Sequence, residues 1–326
     1  MASPPTVPGV DAGEDRYGPA GRSAWLSVDW QAHLRWVMLD GQAVNLVDLG
    51  PEPGEDLGGD PLLFVHGLSG SWQNWLENLP AFARSRRVVA LDLPGFGASP
   101  MPPGGPSVVS IPGYARVLGG LMDELRLERA VVVGNSMGGF VALELALAAP
   151  GRVSGLVLVS PAGIDARELR RERLLGTLRR VERLVLAGGT MVATHADWIA
   201  RRARLRRLAM HLAVRHPERL PNTLMAEQIR QGNGKPGFVA AIDALTDHDI
   251  EDRLGAIACP TLLYWGREDR IVSVEDAERF LAAIPGARAV VLDDTGHLAM
   301  LERPARFNAD LAAFLAGEAI GRGGTG

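Results

Sequence analysis

An alternation of short apolar runs with longer segments of helical periodicity constrains the fold of this 326-residue chain more than any other feature. The apolar runs are rich in valine and leucine, which is typical of buried strands. Eight strands are predicted, at His33–Leu39, Ala43–Leu49, Leu62–Val65, Val88–Leu91, Ala130–Val133, Leu156–Val159, Thr261–Trp265 and Ala289–Leu292. We therefore expect an α/β architecture, a mostly parallel eight-stranded sheet with helices on both faces.

The predicted helices lie between these strands, where right-handed crossovers need them. They cover Gln73–Ala83, Ser110–Leu125, Met137–Ala148, Val274–Ala283 and Pro304–Ala316. The first two strands are instead separated by the turn signal Asp40-Gly41, so we expect them to form a hairpin.

One long interval, between Pro161 and Ala258, breaks this rhythm because it is helical and contains no convincing strand. From Arg167 to Arg219 it has 14 arginines and five acidic residues, although the formal net charge of the chain is −4. We interpret this interval as a helical cap whose arginines are solvated and paired with the acidic body. Attraction of an acidic substrate or of a membrane surface is the alternative.

The strongest local signal is the sequence Gly134-Asn135-Ser136-Met137-Gly138, at the junction of a predicted strand with a predicted helix. Without that strand-to-helix junction, a Gly-x-Ser-x-Gly pattern is only weak evidence for a nucleophilic serine. A sharp strand-to-helix turn strains the serine and exposes its hydroxyl above the sheet, while the flanking glycines let neighbouring backbone pass close by. Ser136 is therefore the candidate nucleophile.

A serine nucleophile needs a base within hydrogen-bond reach and a third group that orients the base. Of the seven histidines, His297 follows the last predicted strand, at the edge where the sites of open α/β sheets gather. Asp269 follows the preceding strand and is the candidate acid, with Glu268 as its nearest alternative. Asp293 and Asp294 are local rivals that we expect to serve the turn before His297.

Acyl transfer also develops negative charge on an oxygen, which backbone amides can stabilise. One candidate donor is the amide of Met137, next to the nucleophile. The other is the amide of Leu68, in the turn His66-Gly67-Leu68 after the third predicted strand. Gly67 would let the chain bend so that this amide points inward, and an ordinary strand-ending turn is the alternative.

From about His33 to Phe314 the chain resembles the α/β-hydrolase family. Besides the serine turn, the resemblance rests on His66-Gly67, Asp92 to Ser99, Cys259-Pro260-Thr261, and Gly296-His297 with Glu302-Arg303-Pro304. It implies a serine hydrolase with the catalytic triad Ser136, Asp269 and His297 and with Leu68 and Met137 as oxyanion donors.

The resemblance also implies a domain organisation. Residues 164–250 are expected to form a helical lid inserted into a body made of residues 23–163 and 251–318. We expect a disordered lead-in over residues 1–22 and a flexible tail over residues 319–326.

Within this family, the position of Ser136 excludes relatives that use an aspartate nucleophile, such as haloalkane dehalogenases and epoxide hydrolases. Carbon-carbon hydrolases that open products of aromatic ring cleavage do use serine, and the Gly134 to Gly139 segment is similar to theirs. Many of them have a tryptophan directly after the catalytic histidine, where this chain has Leu298.

The leading hypothesis is hydrolysis of a carboxylic ester or related acyl bond in a small to medium apolar substrate, with no cofactor or metal. Gly67, Trp72, Trp75 and Leu298 are candidates for an apolar pocket, and core packing is the alternative for the two tryptophans. Carbon-carbon hydrolysis, acyl transfer, perhydrolysis and a non-catalytic binding module remain as alternative functions.

The overall composition indicates the cellular compartment of the protein and the kinds of partner it could bind. The single cysteine, Cys259, permits neither an intrachain disulfide nor a metal-binding cysteine cluster. The N-terminus lacks the basic start and apolar stretch of a secretory signal, and no apolar run has the ~18 residues of a membrane span. We expect a cytoplasmic protein that acts on a small molecule, spans no membrane and binds no nucleic acid; the oligomeric state is not indicated.

Overall fold

A computed structural model describes residues 16–50, 59–164, 192–232 and 235–317. Its centre is one sheet of eight strands: β1 (Leu34–Leu39), β2 (Gln42–Leu49), β3 (Leu62–Val65), β4 (Val88–Leu91), β5 (Ala130–Asn135), β6 (Val153–Val159), β7 (Thr261–Gly266) and β8 (Arg288–Leu292). Their spatial order is β1-β2-β4-β3-β5-β6-β7-β8. Strand β2 pairs antiparallel with β1 and β4, and every other pairing is parallel. The predicted mostly parallel eight-stranded sheet is confirmed.

Helices connect and cover the strands. They are α1 (Trp30–His33), α2 (Leu79–Phe82), α3 (Ile111–Glu124), α4 (Met137–Ala148), α5 (Ala196–Ala200), α6 (Ala203–Met210), α7 (Asn222–Gln231), α8 (Phe238–Asp247), α9 (Asp276–Ala283), α10 (Ala299–Glu302) and α11 (Pro304–Leu315). None of the described helices combines the length and the apolarity needed to cross a bilayer.

The helix predicted over Gln73–Ala83 is broken into two pieces. A 3₁₀ turn covers Trp72–Trp75, and α2 begins only at Leu79. Pro80 stands near the first position of α2, where its missing N–H is tolerated. A proline in the interior of one continuous helix would remove a hydrogen bond and clash with the preceding turn, which is why the helix restarts here.

The sheet is buried on both faces, as parallel sheets are. Successive strand residues alternate between two apolar clusters: Leu63 and Val65 belong to the cluster packed by α3 and α4, and Leu62 and Phe64 to the other, which includes α11. This alternation follows from the two-residue period of a strand. It leaves the strand ends as the places where polar side chains can meet.

The lid expected at residues 164–250 is described only in part, because residues 165–191 lie outside the described residues. Its described portion contains α5, α6, α7 and α8. The segment around Ala213 touches the body, since the Leu298 amide donates to Ala213 O at 3.1 Å.

The predicted disordered lead-in, residues 1–22, is also described only from residue 16. In that part the Tyr17 hydroxyl donates to Glu302 Oε2 at 2.6 Å, and the Gly18 amide donates to Glu302 O at 2.7 Å. These two residues are therefore attached to the body, Tyr17 through the buried Glu302 carboxylate and Gly18 through the Glu302 main-chain oxygen. The tail at residues 319–326 lies outside the described residues.

Candidate active site

Ser136 stands between β5 and α4 in a strained backbone conformation, with φ 53° and ψ −117°. Residues other than glycine rarely adopt a positive φ, and backbone strain of this kind is concentrated at functional sites. Two hydrogen bonds of the main chain hold the turn: the Ser136 amide donates to Val159 O at 2.9 Å, and Ser136 O accepts from the Ala162 amide at 3.1 Å. The serine lies at the carboxyl end of β5, where the residue is buried at 8% exposure, although the sequence predicted an exposed hydroxyl.

The two glycines of the motif are required by close approaches of backbone. A Cβ atom on Gly134 would lie 2.4 Å from Gly138 O, and one on Gly138 would lie 2.3 Å from Val65 O. Neither distance is compatible with a side chain, and both obstructing atoms belong to the main chain. The spacing Gly-x-Ser-x-Gly thus reflects how tightly the turn folds on itself and on the end of β3.

His297 and Asp269 meet across the loops that follow β8 and β7. His297 Nδ1 lies 2.7 Å from Asp269 Oδ2, and the two side chains are 6% and 0% exposed. The other oxygen, Asp269 Oδ1, accepts from the amides of Ile271 and Val272 at 2.8 and 3.0 Å. With Asp269 as acceptor, the imidazole carries its proton on Nδ1, and Nε2 is left as the proton acceptor.

The serine and the histidine are linked through Asn135. Its Nδ2 donates to His297 O at 3.4 Å and to Val159 O at 3.0 Å. Within the described part of the chain the Ser136 hydroxyl itself makes no hydrogen bond to His297. Such catalytic contacts commonly tighten only when substrate is bound.

The carboxylates that rival Asp269 are engaged elsewhere. Glu268 Oε2 accepts from the Thr295 amide at 2.9 Å. Asp293 pairs with Arg267 at 2.5 Å, and Asp294 Oδ1 lies 2.5 Å from His216 Nε2. Both aspartates lie in the turn before His297, where Asp294 adopts φ 51°, but their carboxylates pair with side chains outside that turn. Asp269 is the member of this group that contacts the His297 ring.

The turn after β3 is organised by His66, which is fully buried. Its Nδ1 donates to Gly67 O at 2.7 Å, while its Nε2 accepts from the Leu93 amide at 2.9 Å. Burial lowers the pKa of His66 to about 4, so the ring is neutral at physiological pH and both bonds are kept. A Cβ on Gly67 would lie 3.1 Å from Ser136 Cβ, which places this turn directly beside the serine.

Around the serine, Met137 and Leu298 are buried and Leu68 is half-buried. The pocket role predicted for Gly67 and Leu298 therefore agrees with their positions near the site and remains a prediction. The amides of Leu68 and Met137 likewise remain the predicted oxyanion donors.

The two tryptophans predicted for the pocket have different surroundings, and the pocket role of Trp72 stays a prediction. Trp75 is fully buried, with its ring 5.1 Å from that of Phe64 and 6.3 Å from that of Phe307, so it packs in the core. Trp72 packs 4.9 Å from Trp30 and faces a cleft of about 470 Å³ whose lining residues do not include Ser136. Core packing, the alternative left open by the sequence, describes Trp75.

A family model described as the alpha/beta hydrolase fold matches residues 60–304. The chain belongs to the α/β-hydrolase family. Its eight-stranded sheet and the position of the serine turn agree with that assignment.

Three comparisons place this α/β hydrolase among known proteins. The dihydrolipoyllysine-residue acetyltransferase component of the acetoin cleaving system of Cupriavidus necator is 33% identical over 273 residues, 80% of this chain and 64% of that protein. The chain thus spans less than two thirds of this relative. The 2-hydroxy-6-oxo-6-phenylhexa-2,4-dienoate hydrolase of Comamonas testosteroni is 30% identical over 276 residues, 77% of this chain and 85% of that enzyme. A solved structure of a thermophilic esterase from Thermogutta terrifontis matches with a TM-score of 0.65 at 25% identity, over 87% of this chain and 98% of that one.

One residue that supports the site was not singled out from the sequence. In this α/β hydrolase Glu302 is fully buried, and its carboxylate accepts from the amides of Gly296 (3.0 Å) and Arg215 (2.9 Å) and from the Tyr17 hydroxyl (2.6 Å). Burial raises the pKa of Glu302. The carboxylate joins the residue before His297 to the segment after α6 and to the N-terminal segment. The only sequence signal was its place in Glu302-Arg303-Pro304.

Proposed function

We propose that this α/β hydrolase cleaves a carboxylic ester or a related acyl bond of a small to medium, largely apolar substrate. In this mechanism Ser136 attacks the carbonyl carbon and forms an acyl-enzyme, which water then hydrolyses. The observation that carries the proposal is the 2.7 Å contact between His297 Nδ1 and Asp269 Oδ2, at the sheet edge that also holds the strained serine.

Each side chain has a defined part in the proposed reaction. His297 Nε2 accepts the proton of the Ser136 hydroxyl and returns it to the leaving alkoxide. Asp269 keeps the imidazole in the required tautomer and stabilises the imidazolium that forms. The amides of Leu68 and Met137 stabilise the oxyanion of the tetrahedral intermediate.

The preference for an apolar acyl group rests on the side chains around the serine. Leu68, Met137 and Leu298 are apolar, and none of them can bind an acidic group. A lid over the site would close a pocket of limited volume, which favours short or medium acyl chains over long ones.

Carbon-carbon hydrolysis of a ring-cleavage product is the second candidate. The name of the Comamonas testosteroni relative and the serine turn favour it. Its substrate carries a carboxylate, which would need a cation in the pocket. An arginine of the lid is the source proposed from the sequence. Lys235 is a further candidate, because its Nζ donates to Gly97 O at 3.3 Å, in the loop that follows β4.

Labelling with a fluorophosphonate tests the nucleophile. The parent protein should be labelled, and Ser136→Ala should lose both labelling and turnover while its Tm stays close to that of the parent. Ser107→Ala, at an exposed serine, is the matched control and should be labelled like the parent. Equal labelling of Ser136→Ala would refute the proposal.

A substrate panel separates the two candidate reactions. We expect higher kcat/KM on acetyl to octanoyl nitrophenyl esters than on palmitoyl esters or a dienoic diketone acid. A preference of more than ~100-fold for the diketone acid, lost when Lys235 or a lid arginine is substituted, would establish the carbon-carbon reaction instead.

A further inference from the structure

A groove lined by five arginines lies between the described part of the expected lid and the body. The groove has a volume of about 640 Å³ and lies between α6, the segment after it and the loop that follows β7. The arginines are Arg204, Arg207, Arg215, Arg219 and Arg270. We call this surface the arginine groove.

The carboxylates in the arginine groove do not balance its positive charge. Glu218 pairs with Arg207 at 3.0 Å. Asp294 is shared by Arg219 at 3.2 Å and Arg215 at 3.7 Å. Five arginines against these two carboxylates leave an excess of three positive charges, on a chain whose formal net charge is −4. The arginine groove therefore carries a local excess of positive charge on a chain that is acidic in total.

Two of the arginines, Arg204 and Arg270, form no ion pair with the residues that the structure describes. Arg204 is exposed. Arg270 donates from Nη1 to the carbonyl oxygen of His211 at 3.0 Å, a bond that leaves its charge unneutralised. Both guanidinium groups remain available for an external anion.

An apolar side chain stands among these charges. Leu208 lines the arginine groove, and at 73% it is the most exposed large hydrophobic side chain of the described residues. It follows Arg204 by four residues on α6, so the two share one helix face. Leu212, two residues after α6 ends, is also exposed, at 39%.

We propose that the arginine groove docks the protein on the surface of a bilayer that contains anionic phospholipids. Lipid phosphates would accept from the arginines, and Leu208 would enter the boundary between headgroups and acyl chains. A bilayer satisfies both features at once, because it presents many negative charges beside apolar material. A small soluble anion would engage the arginines but would leave Leu208 in water.

The position of the groove gives docking a consequence for the site. Arg270 directly follows Asp269, and the Arg215 amide donates to Glu302, which also holds the residue before His297. Docking through the groove would therefore bring the loops of the proposed catalytic residues close to the lipid. Esters that partition into the membrane would then be the most accessible substrates.

Flotation with vesicles tests the proposal. The full-length protein should bind vesicles of phosphatidylcholine mixed with phosphatidylglycerol, should bind pure phosphatidylcholine weakly, and should dissociate at high salt. An arginine near an anionic surface strengthens binding about fivefold, so the double reversal Arg204→Glu with Arg207→Glu should weaken binding at least about 25-fold. Leu208→Ser should weaken binding without changing its salt dependence.

The matched control is the double reversal Arg116→Glu with Arg129→Glu, which makes the same charge change at exposed positions outside the groove. It should bind vesicles within about threefold of the parent. Ser136→Ala should bind like the parent, so that a failure of the proposed hydrolase function stays separate from a failure of docking.

Three results would overturn the proposal. The first is binding to neutral and anionic vesicles alike. The second is equal weakening by the groove and control reversals. The third is saturable binding of inorganic phosphate or inositol hexakisphosphate without vesicle binding, which would assign the groove to a soluble anion.

Discussion

Replacing Asp269 by asparagine should remove the proposed acid while preserving the shape of the site. In the structure Asp269 Oδ1 accepts from two backbone amides, those of Ile271 and Val272, and Oδ2 faces His297 Nδ1. An asparagine has only one oxygen, and two backbone donors require it at the Oδ1 position. Its NH₂ group must then face His297.

This orientation forces a change of tautomer. With a donor opposite Nδ1, the neutral imidazole must carry its proton on Nε2, which can then no longer accept the proton of Ser136. Loss of the correct tautomer in a triad costs about 10⁴-fold in rate, equivalent to about 5.4 kcal/mol of transition-state stabilisation. The Tm should fall only slightly, because both backbone amides keep their acceptor.

Glu268→Gln is the matched control, one residue away. Glu268 accepts one bond from the Thr295 amide, and the glutamine oxygen can take it over. We expect kcat/KM to stay within about threefold of the parent. The assay is kcat/KM on a short-chain nitrophenyl ester at several pH values, with the rate of fluorophosphonate labelling as an independent measure. A reversed order of the two variants, or a loss below about tenfold for Asp269→Asn, would refute the proposed role.

Three further predictions concern stability. Gly138→Ala should lower the Tm sharply, because the new Cβ would lie 2.3 Å from Val65 O. Gly119→Ala in α3, where a Cβ would have nothing within 4 Å, should instead stabilise the protein by about 0.5–1 kcal/mol. Similar melting curves for the two variants would contradict this prediction. Glu302→Gln should cost about 2–4 kcal/mol in urea unfolding, because in either orientation the NH₂ group of the glutamine faces a donor that now binds a carboxylate oxygen. An unchanged free energy of unfolding would argue against the bridging role of Glu302. Burial raises the pKa of Asp92 from 3.8 to about 6, so the folded protein keeps a proton that the unfolded chain releases. The stability from that proton is complete below the unfolded pKa and is lost as the pH rises through about 6. Between pH ~4 and ~7 the parent should therefore lose about 2 kcal/mol relative to Asp92→Asn.

The sequence alone determined the framework on which the site stands. The strands β3 and β4 were predicted with the bounds that the structure shows, and so was α4. These elements were predictable because their signals are local: a strand buried on both faces needs a continuous apolar run, and a sharp turn needs glycine at set positions. The carboxyl ends of parallel strands share one edge, so Ser136, Asp269 and His297 could be expected to converge there.

Only the tertiary structure decided which side chains serve these residues. The Glu302 carboxylate accepts from Tyr17, 285 residues away in the sequence, and from Arg215 in the segment after α6, and neither partner has a local pattern that marks it. From the sequence, Trp75 could either pack in the core or line a pocket. The structure decides for the core, because the rings of Phe64 and Phe307 pack against Trp75. The physical reason is that a periodic pattern reports which face of an element is buried, whereas a contact between distant segments exists only after the chain has closed the loops between them.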